Sequence, residues 1–386
     1  MKKNVILRKL AVLGLTSALM FSVLTGCGAG TEGVATRQNV TATEDKAATD
    51  ENKETSADET NTDSAAAADT STEEPAASGE LIPFRVGCGD ASSNHLGDLA
   101  SIAQDKGFLE EELNKVGFTL EAIGFQGAGP EVNAAILSGS LDAGSYAEFP
   151  AITNKAVGAD TTVVAIANPK QLYGILVASD EIQSVKDLEG KRIVVAQGTT
   201  LQYGWDSIVR ETGIDAGKIE IINANVMDGT SLLQTGDADA LISTKISVEL
   251  FALSGLGHLL EDVPEDVYGQ ILLTVDNGLL KEHPEVAVAY NKALIRASEY
   301  AQNDPEGVFS ILGAAYGEAG ALVYANGYTV DGSLSYLTPE INDSNLSSIK
   351  NVYEWLNTNG LLASEIDIDS LVDSQYYEQA AAELGK

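Results

Sequence analysis

The sequence predicts an α/β fold of two lobes that meet at a hinged ligand cleft. Short β-branched runs alternate with helical patterns almost to the C-terminus, the order that builds parallel sheets covered by helices. The pattern starts again at "SVKDLEGKRIVVAQGTT", residues 184–200, where a second unit opens. With the N-terminal segments set aside, about 300 residues remain, enough for two lobes.

Those N-terminal segments come first in the chain. Lys2, Lys3, Arg8 and Lys9 precede an apolar run from Leu10 to Leu24 and then small residues, the order of a signal peptide over residues 1–26. A spanning helix fits less well, because crossing a bilayer takes about 20 apolar residues and this run is shorter, with Gly14, Thr16 and Ser17 inside it. The two cysteines, Cys27 and Cys88, lack any CxxC spacing and make a poor metal site; a disulfide would tie a signal-proximal residue into the fold. Cys88 is expected to be a small buried side chain beside the first strand. Residues 28–79 are rich in Thr, Ala, Asp, Glu, Ser and Asn and contain no aromatic residue. Such a segment cannot offset its ordering entropy by burial, so 27–79 reads as a disordered tether with a reach of roughly 40 Å. An acidic interaction tail is the alternative.

The chain carries 57 acidic and 23 basic residues, a formal net charge of −34. Nucleic acid is not expected as a partner, since phosphate binding needs a clustered basic surface.

In the folded part, "IPFRVGCG" at 82–89 predicts the first strand and "LGDLASIAQDKGFLEEEL" at 96–113 a helix. "FTLEAIGF" at 118–125 is the second strand, with a helix from Pro130 to Ser138. "DAGSYA" is the third strand, a helix follows Pro150, and "TTVVAIA" at 161–167 is the next strand. After the restart come a short helix at Lys186–Gly190, a strand at Arg192–Gln197, a helix at Thr199–Thr212, and strands in "KIEIINA" and "ADALIST". "YGQILLTV" at 268–275 returns to the first lobe, completed by helices near 282–302, 305–316 and 345–358. The expected division is 80–176 with 274–386 as lobe 1 and 177–273 as lobe 2. Segments 173–179 and 271–276 are the candidate hinges.

Open α/β sheets bind ligands beyond the carboxyl ends of their strands. Four such loops offer similar chemistry: Ser93, Asn94 and His95 after the first strand; Gln126, Gly127 and Gly129 after the second; Ser145, Tyr146 and Glu148 after the third; Gln197, Thr199 and Thr200 in the second lobe. Glycines and hydroxyls where a strand turns into a helix expose N–H donors at the positive end of the helix dipole, which suits a small sulfonate, nitrate or carboxylate. For any one loop, ordinary caps explain the same residues. Tyr146, Tyr173, Tyr203 and Trp205 could wall the site, although core packing explains Tyr203 and Trp205 equally well. Lys170 and Lys245 could add positive charge. His95, His258 and His283 have no metal spacing, and no GxSxG, activated cysteine or dinucleotide fingerprint is present. No metal, cofactor or catalytic residue is expected.

Two resemblances sharpen this reading. Leu24, Thr25, Gly26 and Cys27 resemble the bacterial lipobox, which implies lipidation of Cys27, export and anchoring to the outer face of the membrane. The long tether suits a Gram-positive surface, and a periplasmic lipoprotein stays open. "NHLGDLASIAQDKGFLEEEL", "GPEVNAAILSGSLDAGSYAEFPAITNKAVGAD", "VKDLEGKRIVVAQGTTLQYGWDSIV" and "DGTSLLQTGDADALI" together resemble substrate-binding proteins of ABC importers, in the group for aliphatic sulfonates, nitrate, taurine and thiamine-precursor pyrimidines. That resemblance implies the type II periplasmic-binding-protein fold, a small solute, a membrane permease as partner, and no catalysis. A monomer is expected. Asn94 and His95 match a recurrent Asn-His pair that keeps the pyrimidine branch in play. A solute-sensing receptor would use the same cleft, and an intracellular pyrimidine-synthesising enzyme shares the fold but not the export signal. No arginine lies in the four loops, and Glu148 would repel an anion unless it meets a ligand amine, which leaves room for taurine-like zwitterions.

Overall fold

A computed structural model describes residues 80–89, 95–314, 317–329 and 333–386. The signal, Cys27, the tether, Ser93 and Asn94 lie outside the described residues.

The chain begins with β1 (Ile82–Cys88), α1 (Asp98–Asp105), α2 (Phe108–Lys115), β2 (Phe118–Gly124), α3 (Ala128–Leu137), β3 (Ala143–Ala147) and α4 (Glu148–Ala156). Next come β4 (Thr161–Val177), β5 (Arg192–Val195), α5 (Thr200–Thr212), β6 (Glu220–Asn223), α6 (Val226–Thr235), β7 (Ala240–Thr244), α7 (Lys245–Leu253) and β8 (His258–Leu259). β9 (Tyr268–Asp276) is followed by helices α8 (Asn277–Glu282), α9 (Glu285–Asn303), α10 (Pro305–Leu312), α11 (Gly317–Gly327), α12 (Asp343–Thr358) and α13 (Gln375–Glu383).

The strands join in the order β2-β1-β3-β9-β4-β7-β5-β6, with β8 beside β4. β1 pairs in parallel with β2 and β3, and β5 in parallel with β6 and β7, so each βα series builds its own parallel half-sheet. β4 and β9 run antiparallel to each other and to the parallel strands, and they carry the sheet from one half to the other.

Each half-sheet is buried on both faces. Phe84, Val86 and Cys88 alternate along β1 into a core with α1, α2 and α9. The other face of that half packs Val132, Ile152 and Val352 from α3, α4 and α12. In the second half, Ile193 and Val195 face Trp205 and Ile208 of α5, while Val194 faces Leu233 of α6 and Val248 of α7. Cys88 is 2% exposed, and its Sγ donates to the His95 carbonyl at 3.2 Å.

Two differences from the sequence expectation have local causes. The helix expected over 96–113 is two helices, because Gly107 takes a left-handed φ of +72° and ends the first. The strand expected at 161–167 runs on to Val177 as one 17-residue strand, β4, which enters the candidate hinge segment 173–179 and has register shifts on either side of Asn168. Pro169 lies in that irregular stretch, where a residue without an N–H costs no ladder bond.

Candidate binding site

The carboxyl ends of the two half-sheets meet across the crossover strands. Ala147 at the end of β3 pairs with Ile271, Ile271 pairs with Asn168, and Tyr173 pairs with Thr244 at the end of β7. Four residues of β4, from Pro169 to Leu172, therefore separate the two sets of strand ends, five steps or about 16 Å at the usual strand rise. The helices that start there, α1, α3, α4, α5 and α7, have their N-termini around this span.

Two cavities open beside the crossover. One, of about 220 Å³, has Asp98, Asn168, Lys170, Lys245, Tyr324, Tyr328 and Tyr336 in its lining. The other, of about 320 Å³, is lined by Tyr203, Ser207 and Arg210 of α5, Tyr268 of β9, and Ser344 and Asn351 of α12.

Asp98 is the charged centre of the first cavity. It opens α1 at φ +52°, a left-handed conformation that Asp tolerates better than most residues. Its Oδ1 accepts from Asn168 Nδ2 at 2.8 Å and from the Tyr328 hydroxyl. Asn168 is 1% exposed, and its own Oδ1 accepts from the Lys170 N–H at 2.8 Å. The Tyr336 hydroxyl donates to the Tyr328 carbonyl at 2.6 Å, fixing the segment that carries the phenol. Burial raises the Asp98 carboxyl above its ordinary value, opposed by the bonds from Tyr328 and Asn168.

Glu148 takes a different role from the one its loop suggested. It is fully buried, and its Oε2 accepts from the Gln270 N–H of β9 at 2.8 Å. Among the described residues, its Oε1 and the Gln270 Oε1 have no hydrogen-bond donor. Burial pushes the carboxyl up to about 7, opposed by the Gln270 bond. Glu148 is therefore enclosed at the crossover and lines neither of the two cavities.

The sequence-predicted residues divide accordingly. Tyr173 is 3% exposed, and its hydroxyl bonds Thr200 Oγ1 at 2.8 Å, tying β4 to the start of α5. Its ring sits so close to Gly204, and its hydroxyl to Gly269, that a Cβ at either would come within 2.9 and 2.6 Å. Ser145 is buried and donates to the Leu96 carbonyl at 3.2 Å; Tyr146 is buried and its hydroxyl accepts from Thr274 at 2.8 Å. Neither lines either of these two cavities. Gly129 is buried against Pro150, which a Cβ would approach to 2.6 Å. Gln126, Gly127, Gln197 and His95 are exposed.

The expected row of open N–H donors is largely occupied by the chain itself. The Gly127 N–H donates to Glu131 Oε2 at 2.9 Å and the Gly198 N–H to Gln202 Oε1 at 2.8 Å. Thr199 Oγ1 accepts from the Leu201 N–H and donates to the Ala196 carbonyl, and the Gln197 N–H donates to Asn223 Oδ1. Lys170 and Lys245 do line the first cavity, while Trp205 is a core residue. Sequence reasoning missed Asp98, Asn168, Tyr324, Tyr328 and Tyr336. Asp98 and Tyr328 are 230 positions apart, and no local pattern joins them.

With this geometry established, the NMT1/THI5-like family profile matches residues 92–308, more than half of the chain. The chain belongs to the NMT1/THI5-like family. A protein of Bacillus subtilis (strain 168), named for aliphatic sulfonate binding, is 26% identical over 206 residues, covering 52% of this chain and 62% of the relative, which is less than two thirds of its length. The taurine-binding periplasmic protein of Escherichia coli (strain K12) is 27% identical over 227 residues, covering 55% of this chain and 68% of that protein. The structure of the periplasmic aliphatic sulphonate binding protein SsuA from Escherichia coli superposes with a TM-score of 0.60 at 17% identity, covering 77% of this chain and 93% of SsuA. The fold is therefore that of the type II periplasmic binding proteins. It also serves an enzyme, since the desulfurization enzyme DSZB matches with a TM-score of 0.58 at 17% identity, over 78% of this chain and 99% of DSZB.

Proposed function

We propose that this member of the NMT1/THI5-like family is an extracytoplasmic solute-binding protein that delivers a small solute of the sulfonate, taurine or nitrate class to an ABC transporter permease. The observation that carries the reading is the crossover: two half-sheets, joined side by side through β4 and β9, present their strand ends and a charged cavity to the same span. We divide the chain into lobe 1, residues 80–176 and 274–386, and lobe 2, residues 177–273, closing about that crossover. Ligand contacts to both lobes would favour the closed form, which a permease reads. Lipidation at Cys27 would hold the protein at the outer face of the membrane. Tyr173, Thr199, Thr200, Gln126, Gly127, Gly129, Gln197, Ser145, Tyr146 and the Ser93-Asn94-His95 stretch remain the proposed ligand shell, reached directly or through their helix starts.

A second reading has one observation in its favour. Three tyrosines, Tyr324, Tyr328 and Tyr336, line the first cavity, and aromatic walls also suit a thiamine-precursor pyrimidine. A solute-sensing receptor would use the same cleft. Thermal unfolding of the full chain against taurine, ethanesulfonate, nitrate and an aminopyrimidine separates the ligand classes. A ligand at a hundred times its Kd should add about 2.7 kcal/mol to the folded state. Stabilisation by one class names the solute; an unchanged transition with every compound contradicts the solute-binding reading.

A further inference from the structure

We infer that Asp98 receives a cationic nitrogen of the solute, so that this protein selects amine-bearing acids over simple sulfonates or nitrate. The inference rests on the solute-binding reading above and narrows it.

The carboxylate is held for such a task. Both of its protein hydrogen bonds, from Asn168 Nδ2 and the Tyr328 hydroxyl, fall on Oδ1. Oδ2 has no donor among the described residues, and it is not among the buried polar atoms left without a partner. Because Asp98 lines the cavity, that second oxygen is the one open to its space. Holding an ionised carboxylate in a partly desolvated place is costly unless a cation or further donors meet it. Asn168 and Tyr328 meet that need at Oδ1, and Oδ2 is the oxygen we assign to the cation.

The rest of the cavity has the complementary charge. Lys170 and Lys245 line it, and neither forms an ion pair among the described residues, whose lysine bridges involve other positions. Lys170 Nζ lies over the Tyr268 ring, 5.5 Å from its centre. A simple anion drawn to the lysines would share the cavity with the Asp98 charge and be repelled by it. A ligand with an ammonium at one end and an acid at the other satisfies both. Tyr324, Tyr328 and Tyr336 supply the wall beside its short apolar spacer. Glu148, the carboxylate that the sequence offered for this role, is fully buried and bonded to Gln270, which leaves the task to Asp98.

Calorimetric titration of the full chain with two matched pairs tests this: taurine against ethanesulfonate, and β-alanine against propionate. Each pair differs only by the amine. A charge-assisted hydrogen bond predicts that the amine-bearing member of at least one pair binds about tenfold tighter or more. Asp98→Asn, which keeps the shape and tolerates the same positive φ, should reduce that preference to threefold or less by weakening only the amine-bearing member. Equal affinity within both pairs, or tighter binding of the amine-free members, overturns the inference and leaves the solute-binding reading standing. An undiminished preference in Asp98→Asn also overturns it. If no member of either pair binds, this inference fails, and the solute-binding reading fails with it only if nitrate and the aminopyrimidine also leave the unfolding transition unchanged. The wild-type comparison needs no variant, so an unfolded Asp98→Asn protein would not rescue the claim.

Discussion

Asp98 and Glu148 border the same crossover, and burial gives them different work. Asp98 keeps one oxygen toward a cavity, whereas Glu148 is enclosed, with Oε1 lacking a donor. The Glu148 carboxyl holds its proton up to about 7, against the usual 4.5. Below pH 4.5 both folded and unfolded chains are protonated, and the stability linked to this group is fully present. As pH rises toward 7 the unfolded chain ionises and the folded chain does not, so that stability is lost progressively, by about 3 kcal/mol in all. Glu148→Gln should remove this slope: its stability relative to wild type should climb by about that amount between pH 4.5 and 7 in denaturant titrations. Parallel pH profiles for the two proteins would show that Glu148 is not buried in this way. Glu148 was legible in the sequence as a member of a strand-end loop, but its direction was not. Whether a side chain enters the cleft or the core depends on Gln270, which lies 122 positions away.

At the scale of elements, the helix starts were legible and their occupancy was not. Glycine and hydroxyl residues at 126–129 and 197–200 do mark the N-termini of α3 and α5. The same stretches, however, bring Glu131 and Gln202 back onto their own N–H groups, one turn along the helix. A dipole end that is capped internally has fewer donors for a solute. Thr199 is such a cap, accepting from the Leu201 N–H. Thr199→Ala should therefore lower the stability of the folded domain by about 1 kcal/mol in equilibrium unfolding, as loss of an N-cap does. A change within experimental error would mean that the cap is replaced by solvent or by Gln202. β4 is the element whose length sequence reasoning missed: the strand expected at 161–167 continues through Asn168 and Pro169 to Val177. That stretch is an irregularity that keeps the strand continuous while placing Asn168 against Asp98.

Over the whole molecule, the alternation of strands and helices and its restart near residue 184 were sufficient to anticipate two parallel half-sheets, because each βα unit is a local pattern. The first cavity was not anticipated as a unit. It draws on the start of α1, the crossover, the start of α7 and on Tyr324, Gly327, Tyr328 and Tyr336, parts that only the tertiary fold assembles. The proposed lipid anchor belongs to this scale as well. Cys27→Ser should move the protein from the membrane fraction to the soluble fraction of cells, and unchanged membrane retention would contradict lipidation at that residue. The central claim is that the two halves close on a solute. It is tested most directly by a label-to-label distance between Leu137→Cys on α3 and Met227→Cys on α6, positions that are 52% and 68% exposed. Pulsed electron-spin resonance should show the distance shortening when a stabilising solute is added. An identical distance distribution at saturating solute would contradict closure about the crossover.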